Sequence, residues 1–357
     1  GPMNRILASR FETQQGVDWS GGCGEASGCR GMLRGQLQPY AIYVPRKTAP
    51  QEGFGLTLLL HSLGANYNQY LGSRNQSQLG ERGRGHIVIT PAGRGPDGWY
   101  VDHAAADTFE VWADVARHYK LDPAMTVTSG YSMGGHGSFK FATRYPDLFA
   151  KAFTVVGPPA LGIWAPPAEP TGGDASNTFH LLPGLRNVPI LMWVQALDEL
   201  VPYTGTQTQA MRLDELGYRY RFDTFTTGEH LTLAIHDQYA PGAEFLGDAR
   251  VDRDPHHVSY VVNPAMDFAD AGLVADHAYW LSGLRVRDGA VGGGRGSIDA
   301  VSHGFGRSDA VAGPTQLGAG ALEGYLGLQA YTSQYKTWGL SGVRPAANRL
   351  DITARNL

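Results

Sequence analysis

Residues 125–145 read MTVTSGYSMGGHGSFKFATRY, and this stretch decides the fold prediction. Its first seven residues have the composition of a buried strand, and residues 135–145 are typical of a helix that ends before Pro146. Between them lies the motif G-x-S-x-G, with Ser132 at its centre. A serine on a sharp strand-to-helix turn indicates a nucleophile elbow. The flanking Gly130 and Gly134 fit, because Cβ atoms there would collide with neighbouring backbone.

On both sides of this turn, short apolar segments alternate with helical patterns. Residues 107–119 and 205–216 have the spacing of helices, and residues 40–44 predict an edge strand. Further strands are predicted at residues 56–61, 86–90, 152–156, 189–194 and 218–225. Such alternation predicts βαβ units, and therefore an α/β fold with a mostly parallel sheet flanked by helices.

The texture of the sequence changes twice, which predicts three parts. Residues 1–37 form an N-terminal extension, and residues 38–250 form the α/β catalytic domain. Within it, residues 157–187 are rich in proline and predict an irregular lid. Residues 251–357 predict a β-rich, sandwich-like C-terminal domain. This domain either has a structural role or binds a polymer or glycan. Its strands are expected at residues 258–262, 277–287, 297–302, 322–331 and 349–354.

Composition excludes several classes of protein. The chain has 357 residues, of which 42% are hydrophobic and 17% charged, so it can bury a core and is not a disordered protein. Its formal net charge is −4 and it has no basic stripe, which argues against a nucleic-acid partner. No apolar run approaches 18 residues, so no membrane span is predicted.

A serine nucleophile needs a base and a carboxylate that orients the base. In this fold the three residues follow in the order Ser, Asp or Glu, His. Asp198 follows the predicted strand 189–194 and is the expected acid, with Glu199 as its rival. His230 follows the predicted strand 218–225 and is the expected base, with His236 as the alternative.

The oxyanion of an acyl-transfer intermediate needs two backbone donors. One is expected at Met133, directly after the serine. The other is expected at Leu63 in the loop HSLG, with Ser62 as second choice; an ordinary βα turn is compatible with the same residues. No cofactor is predicted, because acyl transfer by a serine, a histidine and a carboxylate needs none. No metal is predicted either, because His256-His257 lacks a metal-ligand spacing and is expected in a solvated turn.

Cys23 and Cys29 are the two cysteines of the chain and lie in the stretch GGCGEASGCR. A disulfide that closes this small loop is the favoured interpretation, and two reduced thiols are the alternative. A disulfide would indicate an oxidising compartment, so the pair predicts a secreted or extracytoplasmic protein.

Three segments together resemble a known family. GYSMGGHGSFKFATRYPDLFAKAF (130–153), LLLHSLGAN (58–66) and QALDELVPY (195–203) resemble α/β-hydrolases of the putative-esterase and polyhydroxybutyrate-depolymerase type. They also resemble the catalytic domain of prolyl-oligopeptidase-like serine peptidases. The resemblance covers about residues 38–245 and implies a Ser132–Asp198–His230 triad with an oxyanion hole at Leu63 and Met133. These families often have His-Gly where this chain has His61-Ser62.

The predicted function is a serine hydrolase that cleaves carboxylic esters of a small molecule or a polymer. A peptidase with the same triad is the alternative, and a non-catalytic binding module is a third hypothesis. Because a histidine base is inactive once protonated, the hydrolase hypotheses predict an acid limb in the pH–rate profile. Aromatic residues predicted near the site form either a hydrophobic pocket or core: Tyr67, Tyr70, Trp99, Tyr100, Trp164 and Trp193.

Overall fold

The computed structural model describes residues 1–11, 16–18, 32–161 and 173–357. The strands are β1 (Pro2–Ala8), β2 (Gly16–Asp18), β3 (Met32–Arg34), β4 (Leu37–Tyr43), β5 (Phe54–Leu60), β6 (His86–Pro91), β7 (Leu121–Tyr131), β8 (Lys151–Val155), β9 (Ile190–Gln195), β10 (Tyr220–Phe225), β11 (His257–Val262), β12 (Gly296–Ser302), β13 (Arg307–Ala312), β14 (Gln316–Gly324), β15 (Gly327–Lys336), β16 (Trp338–Val343) and β17 (Leu350–Arg355). The helices are α1 (Arg74–Glu81), α2 (Asp102–His118), α3 (Met133–Arg144), α4 (Gly173–Ser176), α5 (Tyr203–Glu215), α6 (Thr232–His236) and α7 (Ala240–Leu246).

Within the described residues, ten strands form one sheet in the order β1-β4-β6-β5-β7-β8-β9-β10-β15-β14. The six strands from β6 to β10 in this order are parallel, and antiparallel strands are added at both sides. This is the mostly parallel sheet of an α/β-hydrolase fold, as predicted.

Helices cover both faces of the parallel strands. Residues of α2, α3 and α5 pack in the core on one face, and residues of α1, α6 and α7 pack on the other. Every residue of β5 is buried. A strand that is covered on both faces has no polar side, which explains the nearly continuous apolar sequence from which it was predicted.

The C-terminal part is β-rich, as predicted, but its strands have three different partners. β15 pairs with β10 and, together with β14, continues the main sheet. β11, β12 and β17 form a three-stranded antiparallel sheet, and β13 pairs with β16. Residues 307–312 and 338–343 are strands that were not predicted.

Two predicted strands of this part differ from the structure. Residues 277–287 contain only a single bridge between Ala278 and Leu281, because Tyr279 has φ +55°, which a strand does not accommodate. Residues 322–331 form two antiparallel strands joined by a tight turn, with Gly324 and Gly327 on its two sides. Gly327 has φ +75°, a conformation that favours glycine.

The predicted lid lies partly outside the described residues, which omit 162–172. Its later part forms a 3₁₀ helix, Thr178–Asn187, in which Leu181, Leu182 and Leu185 are fully buried. This part is therefore a packed element of the core. Cys23 and Cys29 also lie outside the described residues, so their pairing stays a prediction. Among the helices of the described ranges, none has the length and apolar character that a membrane crossing requires.

Candidate active site

Ser132 lies on the turn between β7 and α3 with φ +55° and ψ −118°, which is a strained backbone for a residue with a side chain. The neighbouring glycines permit this turn. A Cβ atom at Gly130 would lie 2.3 Å from the carbonyl group of Gly134, and one at Gly134 would lie 1.9 Å from the carbonyl oxygen of Leu60. The steric need for glycine at both positions was predicted from the motif.

Ser132, His230 and Asp198 form one hydrogen-bonded chain. The Ser132 hydroxyl lies 2.9 Å from His230 Nε2, and His230 Nδ1 lies 2.8 Å from an Asp198 carboxylate oxygen. The carboxylate also accepts hydrogen bonds from the backbone N–H groups of Leu200 (2.9 Å) and Val201 (2.7 Å). The side chains of His230 and Asp198 are 5% and 1% exposed. Such a chain can take a proton from the serine and stabilise the imidazolium that forms.

The sheet brings these three residues together. They follow β7, β9 and β10, which run parallel, and the carboxyl ends of parallel strands meet at one edge of a sheet. Tyr131, beside the serine, fixes the histidine loop. Its hydroxyl donates to the carbonyl of His230 (2.5 Å) and accepts from the backbone N–H of Ala234 (3.2 Å).

Glu199 has a separate contact with the same loop. Its carboxylate accepts a hydrogen bond from the backbone N–H of His230 at 3.0 Å, and this bond lowers the pKa of Glu199 below its usual range. The imidazole itself contacts Asp198 and not Glu199. Both rival carboxylates therefore hold His230, one through its ring and the other through its backbone.

The alternative base, His236, lies away from the serine. It is buried in α6, where its Nε2 donates to the carbonyl of Leu322 in β14 (3.0 Å) and its Nδ1 accepts from the N–H of Leu326 (3.3 Å). Both ring nitrogens thus bond to the β14–β15 hairpin, Nε2 to strand β14 and Nδ1 to the turn.

The two backbone N–H groups expected to bind an oxyanion, those of Met133 and Leu63, are unoccupied within the described residues. Met133 is the first residue of α3, where helix N–H groups have no intrahelical acceptor. Neither its N–H nor that of Leu63 donates a hydrogen bond to another described residue. The N–H of Ser62, the second choice, is occupied by the side-chain oxygen of Gln69 at 2.6 Å. The geometry therefore favours Leu63 over Ser62.

The Ser62 side chain, at the position where the family resemblance leads us to expect glycine, has a structural role. Its hydroxyl donates to the carbonyl of Tyr131 (3.0 Å) and accepts from the Gln69 amide (2.9 Å). Gln69 thus bonds both the backbone N–H and the hydroxyl of Ser62, and Ser62 in turn connects the Leu63 loop to β7, the strand that precedes Ser132. Sequence reasoning did not find Gln69 or Tyr131, because no motif marks a residue that acts through long-range hydrogen bonds.

A cavity of about 330 Å³ opens beside Ser132 and His230. Its wall is largely apolar and includes Leu63, Trp99 and Leu200. Of the aromatic residues predicted near the site, Trp99 lines the cavity; Tyr131, which was not among them, lines it as well. Tyr70, Tyr100 and Trp193 are buried in the core, Tyr67 is half-buried, and Trp164 lies outside the described residues.

The prediction of a solvated turn is wrong for His257, which is buried in a strand, whereas His256 lies in a bend and is partly buried. His257 begins β11 and donates from both ring nitrogens, to Asp309 (2.9 Å) and to Asp299 (2.9 Å). His256 contacts Asp309 at 2.8 Å. Nowhere in the part of the chain that the structure describes do three or more His, Cys, Asp or Glu side chains gather as metal ligands would.

Comparisons with known proteins identify a family and several similar structures. The family model described as "Putative esterase" matches residues 38–224. Among solved structures, the chain is similar to a thermostable esterase (19% identity, 60% of this chain and 57% of that chain, TM-score 0.45). It is also similar to a ferulic acid esterase, with 12% identity over 69% of this chain and 98% of that chain and a TM-score of 0.49. A third similar structure is an S-formylglutathione hydrolase from Staphylococcus aureus, with 16% identity over 69% of this chain and 98% of that chain and a TM-score of 0.48. The match thus spans little more than half of the thermostable esterase. No curated protein matches the sequence.

Proposed function

The chain belongs to the putative esterase family of α/β-hydrolases, and from that premise we propose that it cleaves carboxylic esters through an acyl-enzyme on Ser132. The observation that carries this proposal is the hydrogen-bonded chain from Ser132 through His230 to Asp198, at the edge of an apolar cavity. The reaction uses side chains and backbone of this chain and needs no cofactor.

In the proposed mechanism the Ser132 oxygen attacks the ester carbonyl while its proton passes to His230 Nε2. The N–H groups of Met133 and Leu63 stabilise the oxyanion, and Asp198 stabilises the imidazolium. The tetrahedral intermediate collapses, the C–O bond to the alcohol breaks, and His230 returns the proton to the leaving oxygen. A water molecule, deprotonated by His230, then attacks the acyl-enzyme, and the carboxylic acid leaves as Ser132 regains its proton.

The cavity supports an ester with an apolar acyl or aromatic group, on a small molecule or on a polymer. Leu63, Trp99, Leu200 and Leu231 contribute apolar wall, and apolar surface removed from water stabilises a bound group by about 25 cal/mol per Å². We therefore expect kcat/KM to rise as the acyl group of the substrate is lengthened, until the cavity is filled.

A fluorophosphonate probe tests the nucleophile. We expect the wild-type chain to be labelled and Ser132→Ala not to be labelled. Ser138→Ala is a matched control, because Ser138 is a buried serine in α3, the helix that follows Ser132, but its hydroxyl donates to the carbonyl of Gly134 (3.0 Å). Equal labelling of wild type and Ser132→Ala would exclude every serine-hydrolase mechanism at this site.

A substrate panel then separates the esterase from its alternative. We expect hydrolysis of p-nitrophenyl esters with acyl chains of increasing length and little hydrolysis of peptide p-nitroanilides. A peptide p-nitroanilide that is cleaved with a higher kcat/KM than every ester would favour the peptidase.

A further inference from the structure

A second cleft, of about 330 Å³, lies at the opposite end of the sheet from Ser132. One wall comes from the amino ends of parallel strands: Lys151 begins β8, and Arg219 directly precedes β10. The facing wall comes from β13 and β16 and includes Trp338. The nucleophile, by contrast, follows the carboxyl end of β7. The cleft is therefore separate from the proposed active site.

The cleft is strongly basic. Five lysine and arginine side chains and two aspartates line it. Three of the cations have carboxylate partners in ion pairs: Arg250 with Asp122 (2.7 Å), Arg307 with Asp252 (3.2 Å) and Arg186 with Asp309 (3.0 Å). Asp309 is in addition shared with His256 and His257. Within the described residues, Lys151 and Arg219 have no carboxylate partner.

The two cations without a partner are held in fixed positions. The Lys151 ammonium donates to the carbonyl of Phe245 and lies 4.5 Å from the centre of that ring. The Arg219 guanidinium lies 4.3 Å from the centre of the Trp338 ring, and the indole N–H is fixed by the carbonyl of Gly217 (2.6 Å). Arg219 Nε is buried and, in the described part of the chain, has no hydrogen-bond acceptor.

This arrangement places two like charges close together in partly buried positions. Burial lowers the pKa of Lys151, and the nearby Arg219 lowers it further. Burial also lowers the pKa of Arg219. Partly buried charges without a counter-charge are unfavourable, and a bound anion would remove the repulsion between them.

We propose that this cleft binds an oxyanion of the phosphate or sulfate class, with Lys151 and Arg219 as its principal ligands. A guanidinium that is stacked on an aromatic ring keeps its N–H edge free for two parallel hydrogen bonds to such a group, and an ammonium adds a point charge. The cleft is larger than the ion alone, so it has room for the organic part of a phosphorylated or sulfated small molecule. Because β13 and β16 form one wall, occupancy would also fasten them to the α/β part.

The test uses the full chain and inorganic phosphate. Thermal unfolding is followed with increasing sodium phosphate or sodium sulfate against sodium chloride at equal ionic strength, and the Kd is measured by calorimetry. We expect both oxyanions to raise Tm relative to chloride. We expect Lys151→Gln and Arg219→Gln each to weaken phosphate binding at least tenfold, and Arg219→Lys to restore part of the loss.

Lys120→Gln is the matched control, because Lys120 also donates to a backbone carbonyl, that of Gln51 (2.6 Å), but lies on the exposed surface. We expect its Kd for phosphate to stay within twofold of wild type. Equal weakening by Lys120→Gln and Lys151→Gln would overturn the proposal, as would a wild-type Tm that does not distinguish phosphate from chloride. Even if a cleft variant fails to fold, the wild-type Tm in phosphate compared with that in chloride still tests whether the chain binds the anion.

Glucose 6-phosphate with glucose as its control distinguishes the two sources of the anion. Tighter binding than inorganic phosphate would indicate an organic phosphate as the ligand, and equal binding would indicate the ion itself. None of these measurements uses an ester substrate, so their outcome is independent of the function proposed for Ser132.

Discussion

Two adjacent carboxylates, Asp198 and Glu199, contact His230 through different atoms. Only Asp198 contacts the imidazole, whereas Glu199 accepts the backbone N–H. Because the ring must keep its tautomer and gain a charge during the reaction, we expect Asp198→Asn to lower kcat by about 10³–10⁴-fold. We expect Glu199→Gln to lower kcat less than about tenfold, since an amide oxygen still accepts the backbone N–H. Steady-state kinetics on a p-nitrophenyl ester measures both.

The two variants act as controls for each other, because each removes one charge from neighbouring positions of one loop. Comparable losses of kcat would mean that catalysis depends on the negative charge of this loop and not on the contact between Asp198 and the His230 imidazole. A larger loss for Glu199→Gln would assign the role of the acid to the rival residue.

The contacts of His257 make part of the folding free energy depend on pH. Burial alone would lower the pKa of His257, but hydrogen bonds to Asp299 and Asp309 outweigh it and raise this pKa. The stabilisation is therefore fully present below the pKa of the unfolded chain, about 6.5, and is lost as pH rises through the raised folded pKa. The same bonds lower the pKa of both aspartates, so their contribution is lost only as pH falls below about 4.

We accordingly expect His257→Gln to lower the free energy of unfolding more at pH 5.5 than at pH 9. The difference should be about 1 kcal/mol or less, because the two carboxylates are about half exposed. Denaturant titration at the two pH values measures it. His277→Gln is the control, because His277 is an exposed histidine that pairs with an exposed carboxylate, that of Asp276 (3.2 Å). We expect this substitution to lower the free energy of unfolding at pH 5.5 by less than His257→Gln does.

At the scale of elements, the β14–β15 hairpin connects the C-terminal part to the proposed base. Its turn contacts His236 in α6, the helix that begins two residues after His230. A Cβ atom at Gly324 would lie 2.7 Å from both the His236 ring and the His236 carbonyl oxygen. We expect Gly324→Ala to destabilise the chain by about 1–3 kcal/mol and to lower kcat, because overpacking displaces α6.

Gly318→Ala on the same strand is the control for this effect. A Cβ atom at Gly318 would meet only ordinary contacts, at 3.8 Å from Ser333 and 3.9 Å from Tyr335. Thermal unfolding and kcat, measured on both variants, show how much of the effect of Gly324→Ala comes from the close contact with His236 and how much from replacing a glycine in β14. Equal effects of the two substitutions would contradict a link between the hairpin and His230.

The elements that were predicted from the sequence are those whose cause is local. The turn at Ser132 requires glycines two positions away on each side, and the strands of the parallel sheet are buried on both faces. Asp198 and His230 could be proposed from the sequence because each lies in the loop after a strand of this sheet, Asp198 after β9 and His230 after β10. β16 was not predicted, since almost all of its residues are exposed and a strand without a buried face shows no alternation. Gln69 was missed because its contacts with Ser62 depend on how the loop folds back.

At the scale of the whole molecule, the C-terminal part is joined to the α/β part at several places. β15 pairs with β10 along six residues, from Tyr220 to Phe225. Elsewhere, the Tyr260 hydroxyl of β11 donates to the carbonyl of Arg144 (2.7 Å), and the Arg144 guanidinium pairs with Asp267. A strand pair in a continuous sheet cannot separate without exposing the edge of β10. The two parts should therefore be one cooperative unit.

We expect calorimetry of the full chain to show one unfolding transition, with fluorophosphonate labelling lost at the same midpoint.

We also expect a chain that ends at residue 250 to be strongly destabilised or insoluble, because the bare edge of β10 would pair with other chains and Leu322 and Tyr331 would leave the core around Trp193. An early transition that leaves the serine reactive, together with a stable truncated chain, would instead identify residues 251–357 as an independent domain. Calorimetry and truncation distinguish one cooperative unit from two domains. A separate C-terminal domain can unfold first without disturbing Ser132, whereas in a shared sheet the unfolding of β15 also disrupts β10 and the loop of His230 that follows it.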